Sequence, residues 1–161
     1  MKNMTKIAPS TAVNRYYLAR MAAAEQNERL SSREGASEET SIDRKRLQRI
    51  EIGTLNPYPE EVLLMADAYH APELLNYHCS QCCPIGQRTV PRAESNELDR
   101  ITVKFMNAIE QLKGSDKELL RIAEDGALSA DEIPQMERVL DGVRKLAAIA
   151  CEIQIYLEKH R

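Results

Sequence analysis

Residues 31–53 read Ser31-Ser32-Arg33-Glu34-Gly35-Ala36-Ser37-Glu38-Glu39-Thr40-Ser41-Ile42-Asp43-Arg44-Lys45-Arg46-Leu47-Gln48-Arg49-Ile50-Glu51-Ile52-Gly53. Ser31-Ser32-Arg33-Glu34 offers a capping box, so a short helix is expected from about Arg33 to Thr40 with Ala36, Ser37 and Thr40 facing inward. Ser41 stands where a glycine would be the cheaper terminator. Asp43 can cap the next helix, in which Leu47 and Ile50, three apart, face inward. That spacing turns Arg44, Lys45, Gln48 and Arg49 outward, and Gly53 ends the helix. The stretch predicts two helices joined by a tight turn, the second with a cationic face.

Outward from this pair the pattern stays helical. Val13, Tyr16, Tyr17, Arg20, Met21 and Ala24 suit one face of a first helix that begins after a flexible lead (residues 1–10) and ends near Asn27 to Arg29. Thr54 to Pro59 reads as a loop. Val62, Met65, Ala66 and Tyr69 lie at helical spacing over Glu60 to Tyr69, and Pro72 opens a short fifth turn through Leu75. Six glycines, one Phe and no Trp in 161 residues argue against a sandwich or barrel. With 43% hydrophobic and 29% charged residues the chain has the composition of a folded protein.

The net charge of −3 says nothing for nucleic acid by itself, but its distribution does. Residues 43–49 hold four cations and one anion, whereas the excess acid lies beyond residue 90. A B-DNA major groove, about 12 Å wide, admits one helix, where Arg and Lys can address guanine or phosphate and Gln can address adenine. A solvated charged face is the plain alternative.

Ser32-Arg33-Glu34-Gly35-Ala36-Ser37, Ile42, Leu47-Gln48-Arg49-Ile50-Glu51-Ile52-Gly53 and Asn56-Pro57 together resemble the helix-turn-helix domain of the phage repressor and Cro kind, the XRE family. The resemblance spans residues 11–76. It implies a five-helix DNA-binding domain whose third helix, around 43–51, enters the major groove, usually as a dimer on a two-fold operator. It places Arg33 at a phosphate or groove edge and Arg44, Lys45 and Gln48 at base-reading positions. Arg46 and Arg49 fall at positions that touch phosphates or pair within the domain. Glu51, disfavoured beside phosphates, is expected to pair with Arg49 or Arg20. The chain departs from the family at Ala36-Ser37, Thr40 and Ser41, where Leu-Ala, Leu and Gly are common, so packing of the second helix must come from elsewhere, with Tyr16-Tyr17 as candidates.

Cys79-x-x-Cys82 has the spacing of half a zinc site, and Cys83, His78, His70 or Cys151 could add ligands, but no second pair completes the motif. Structural thiols are the expected role, with zinc or redox chemistry the alternative and no cofactor required. Cys151, flanked by Ala150 and Ile153, is expected as a buried thiol.

Gln87 to Ser95 reads as a linker, closing a first domain of residues 11–86. In residues 96–161 a bundle of helices is expected. Asn96 can cap a helix from Glu97 to Lys113 with a stripe of Leu98, Ile101, Phe105, Ala108 and Leu112, broadened by Met106 and Ile109. A second covers Asp116 to Asp125 through Leu119, Leu120, Ile122 and Ala123. After a capping box at Ser129 to Glu132, Ile133, Met136, Leu140, Val143, Ala147, Ala150, Gln154 and Leu157 keep heptad spacing. This seam must be buried against the helix at 97–113, against a second copy, or against both, so a homodimer through the C-terminal helices is expected.

There is no Gly-rich phosphate loop, no His-Glu-x-x-His and no nucleophile beside a base, so no enzyme is expected. The absence of a long apolar run or an opening signal segment predicts no membrane association and a cytoplasmic address. These readings add up to an all-α, sequence-specific transcriptional regulator of the repressor type with double-stranded DNA as partner. A protein-interaction adaptor or antitoxin-like factor, its acidic C-terminal bundle docking a basic partner, and a metal- or redox-responsive regulator are the alternatives.

Overall fold

The computed structural model describes residues 13–124 and 126–161; the lead at 1–10, the helix start near Thr11 and the helix end at Asp125 lie outside them. The described residues are all helical or irregular, with no strand. Two compact units divide after Val90, inside the stretch read as a linker.

In the first unit α1 spans Arg15–Ala23, followed by a 3-10 turn Glu28–Ser31, α2 Arg33–Thr40, α3 Arg44–Glu51, α4 Pro59–Ala68, α5 Glu73–Tyr77, a π turn His78–Cys82 and α6 Gly86–Thr89. Helix α1 is shorter than expected at both ends. Asn14 caps it, accepting from the amides of Tyr16 (3.0 Å) and Tyr17 (3.2 Å). Asn27 starts the next turn by accepting from Arg29 N at 3.2 Å, which ends the helical run early. Val13, expected on the inner face, is 74% exposed.

The core of this unit is built from Tyr16, Leu30, Ala36, Ile42, Leu47, Ile50, Val62, Met65, Tyr69 and Leu74, with Ala66 and Ala71 filling gaps. Of the two tyrosines only Tyr16 joins the core that includes Ala36 of α2. Tyr16 packs edge-on against Tyr77 at 5.6 Å, and Tyr17 lies under the Arg20 guanidinium at 5.4 Å. Gly35 lets α2 press on the preceding 3-10 turn: a Cβ there would sit 2.0 Å from the Arg29 carbonyl oxygen. Thr40 is fully buried yet satisfied, donating to Ala36 O at 2.7 Å and accepting from Ile42 N at 3.3 Å.

In the second unit α7 spans Leu98–Gln111, α8 Ser115–Ile122 and α9 Ile133–Lys159. Glu97 and not Asn96 is the N-cap of α7, and it makes no side-chain capping hydrogen bond. Of the Ser129 to Glu132 box only one half forms: Glu132 Oε2 accepts from Ser129 N (3.1 Å) and Oγ (2.7 Å), but the Glu132 amide donates to Ser129 O, and Glu132 itself is the N-cap of α9, with no side-chain cap. Helix α9 packs on α7 around Ile101, Ala108 and Ile149, with Leu146 and Tyr156 beside them. It does so with a different face from the one the heptad pattern selects. Val139, Gly142, Ile149, Glu152 and Ile155 are its buried positions, whereas Leu140, Val143 and Leu157 are 43%, 49% and 53% exposed and Ala147, Ala150 and Gln154 also face out. Gly142 lies on this face, where a Cβ would stand 2.5 Å from Leu112 Cδ2. Leu98 and Phe105 of the expected α7 stripe are likewise exposed, and Cys151 is half-buried where a buried thiol was expected. No helix of the described residues is long and apolar enough to cross a membrane.

Candidate nucleic-acid interface

Helix α3 is held by its two ends and one face. At its start Asp43 Oδ1 accepts from the amides of Lys45 and Arg46, both at 3.0 Å, satisfying donors that a helix N-terminus leaves open. At its end Asn14 Nδ2 donates to Ile50 O at 3.0 Å. Leu47 and Ile50 are fully buried between them.

Glu51 locks the rotation of the helix. Its carboxylate is buried and accepts from Arg20 Nε (2.6 Å), Arg20 Nη2 (3.1 Å) and Arg33 Nε (2.7 Å). Arg20 also donates through Nη1 to Leu30 O at 2.6 Å. A buried ion pair is costly unless its lone pairs are used, and here both oxygens are. Arg20 was an expected partner of Glu51; Arg33, expected at a phosphate, is its second partner, and its side chain is only 30% exposed. Nothing in the local sequence marks that assignment, because Arg33 and Glu51 are 18 positions apart. The buried Tyr69 phenol next to this group has its pKa raised, first by burial and then by the charge of Glu51.

The other expected site residues fall into two groups. Arg46 is drawn back toward α4: it pairs with Glu61, Nη2 to Oε2 at 2.8 Å, and its guanidinium lies over the Tyr58 ring at 4.5 Å. The pairing holds the Glu61 carboxyl below the usual glutamate range. Arg44 is exposed and donates to Glu34 Oε1 at 2.5 Å, which lowers the Glu34 pKa. Glu34 therefore does not close a capping box; Ser32 Oγ alone caps α2, accepting from Gly35 N at 3.0 Å. Lys45, Gln48 and Arg49 are exposed, and among the described residues their side chains have no hydrogen-bond or ion-pair partner. They form one outward face on a helix whose other side is fixed. Beside it α2 presents Glu34, Glu38 and Glu39, the last two paired with Arg29.

The cysteine segment is separate. His78 is buried, its Nδ1 3.2 Å from Tyr16 Oη, and that hydroxyl lies 3.9 Å from Cys82 Sγ. Burial lowers the His78 pKa and raises that of Cys82, opposing the thiolate a metal would need. Cys79 is exposed, and all four cysteines are free. Among the described residues no three His, Cys, Asp or Glu side chains gather into a metal-holding group, so Cys79, Cys82, Cys83 and His78 do not form one.

No protein-family model, no curated protein and no solved structure matches the chain.

Proposed function

We propose that the first unit is a helix-turn-helix module of the repressor type that binds double-stranded DNA with α3 in the major groove, and that the chain is a sequence-specific transcriptional regulator. One observation carries the reading. Lys45, Gln48 and Arg49 project from α3 unpaired among the described residues, while Leu47, Ile50 and Glu51 hold its opposite face. A helix so presented meets the steric and chemical demands of the groove. Gln48 is the base reader, Lys45 and Arg49 contact bases or phosphates, and Arg44 joins them when its solvent-exposed pair with Glu34 opens. Arg33 and Arg46 act mainly as internal supports.

The test is selection of duplexes from a random pool, followed by binding at about 50 and about 200 mM salt. A defined sequence should emerge, and affinity should fall steeply with salt. Gln48→Ala should cost about 1–3 kcal/mol of discrimination at one base position, while Lys45→Ala should weaken duplex binding and lower the salt slope by about 1. A duplex affinity that neither change alters would overturn the reading.

The acidic shoulder of Glu34, Glu38 and Glu39 favours a second reading, an adaptor that docks a basic protein. Absence of duplex binding at low salt would select it.

A further inference from the structure

We propose that the apolar side of the α7–α9 hairpin seats a second copy of this chain, two hairpins closing face to face into a four-helix bundle in which each α7 lies across the partner's α9. The inference does not depend on DNA binding.

The two helices are antiparallel, as three cross-links along their length show: Lys159 Nζ to Ser95 Oγ (2.9 Å), Lys104 Nζ to Glu152 Oε1 (2.8 Å) and Lys145 Nζ to Gln111 Oε1 (3.1 Å). Each residue turns a helix by about 100°. Counting from the positions packed between the helices, Leu98, Phe105 and Ile109 lie a quarter-turn to one side on α7. The same count on α9 puts Val143 and Leu157 about a quarter-turn from its packed face and Leu140 further round, more than a third of a turn from it. Because the helices run in opposite directions, both strips fall on the same side of the hairpin. The opposite side carries exposed Arg100, Asn107 and Gln111 on α7 and Glu137, Asp141 and Lys145 on α9.

The unit cannot satisfy itself. Among its described residues it buries six apolar side chains and leaves thirteen large ones exposed, including Phe105 at 41% and Leu157 at 53%. Helices of 14 and 27 residues laid side by side give a face of roughly 600 Å² or more, above the usual largest patch of a monomer and near the roughly 800 Å² per partner of a standard interface.

The relief of the face selects a second copy over a foreign helix. By the register of the cross-links, Phe105 stands level with Ala150 and Ile109 level with Ala147. Two large side chains on α7 thus lie beside two small ones on α9, while Leu98 stands level with Leu157. Rotation about a two-fold axis parallel to the helices brings Phe105 over the partner's Ala150 and Ile109 over the partner's Ala147, and the reverse, so one match is made twice. Every neighbouring pair in the resulting bundle is antiparallel.

Sedimentation of the full chain without DNA tests this. The mass should be twice 18.2 kDa. Ala147→Glu and Ala150→Phe should each raise the dissociation constant at least about a hundredfold, with helix content retained by circular dichroism, and Asn107→Glu on the charged side should change nothing. The exchange Phe105→Ala with Ala150→Phe should restore the dimer lost in Ala150→Phe alone. A wild-type monomer at about 100 µM, a dimer indifferent to Ala147→Glu, or no restoration by the exchange would overturn the proposal. Loss of DNA binding would leave the measured mass unaffected, so the two proposals fail separately.

Discussion

Glu51 is an anion buried at the end of a helix whose outer face is cationic, and the two arginines around it explain why it is tolerated. Removing one partner of such a group leaves the others buried and unpaired. Glu51→Ala is expected to destabilise the first unit by about 3–5 kcal/mol in urea unfolding, whereas Lys45→Ala, on the solvent side of the same helix, should change stability by less than about 0.5 kcal/mol. His78 gives a pH dependence. Its folded pKa lies below the ordinary imidazole value because burial disfavours the charge. As pH falls through the ordinary value the unfolded chain takes up the proton first, so stability is full above that value and is lost down to the folded pKa. Unfolding followed from about pH 8 to about pH 5 should show this loss, and His78→Asn should flatten it.

At the scale of elements, Ser41 and Gly35 set the geometry of the α2–α3 pair. Ser41 has φ of 57°, left-handed backbone that a side chain adopts at a cost. Ser41→Gly should therefore stabilise the protein by about 0.5–1 kcal/mol in thermal or urea unfolding. Gly35→Ala should do the opposite, because its methyl meets a backbone carbonyl that cannot swing aside.

Much of α2 and α3 was legible in sequence. Asp43 caps, Leu47 and Ile50 alternate with charge, and a turn residue stands between the helices, so local chemistry and burial agree. The site was less legible. Arg33, Arg46 and Arg49 look alike in sequence, and what separates them is a carboxylate brought near by folding: Glu51 for Arg33, Glu61 for Arg46 and none among the described residues for Arg49. Helix α9 misled for a different reason. It carries two apolar strips, and periodicity alone does not say which one α7 takes; the strip it takes is the one that holds Gly142 against Leu112. Glu152 falls on the strip that packs and is buried there with Lys104.

For the whole molecule, the two units differ in self-sufficiency. The first encloses a dozen apolar residues around one centre, while the core of the second has three with two half-buried neighbours. Tethering two DNA-binding units through paired hairpins would raise their effective concentration on one duplex. Variants with Ala147→Glu are then expected to bind a two-fold operator at least about tenfold more weakly in a titration, with affinity for a single half-site unchanged.

The sparse interior of the α7–α9 hairpin also bears on heat. If the strip beside its packed face is covered only by another molecule, melting and dissociation of this half become one event governed by mass action. Its calorimetric midpoint should then climb as the sample is made more concentrated, while the transition of the N-terminal half stays put; a midpoint insensitive to dilution would mean the three helices manage alone.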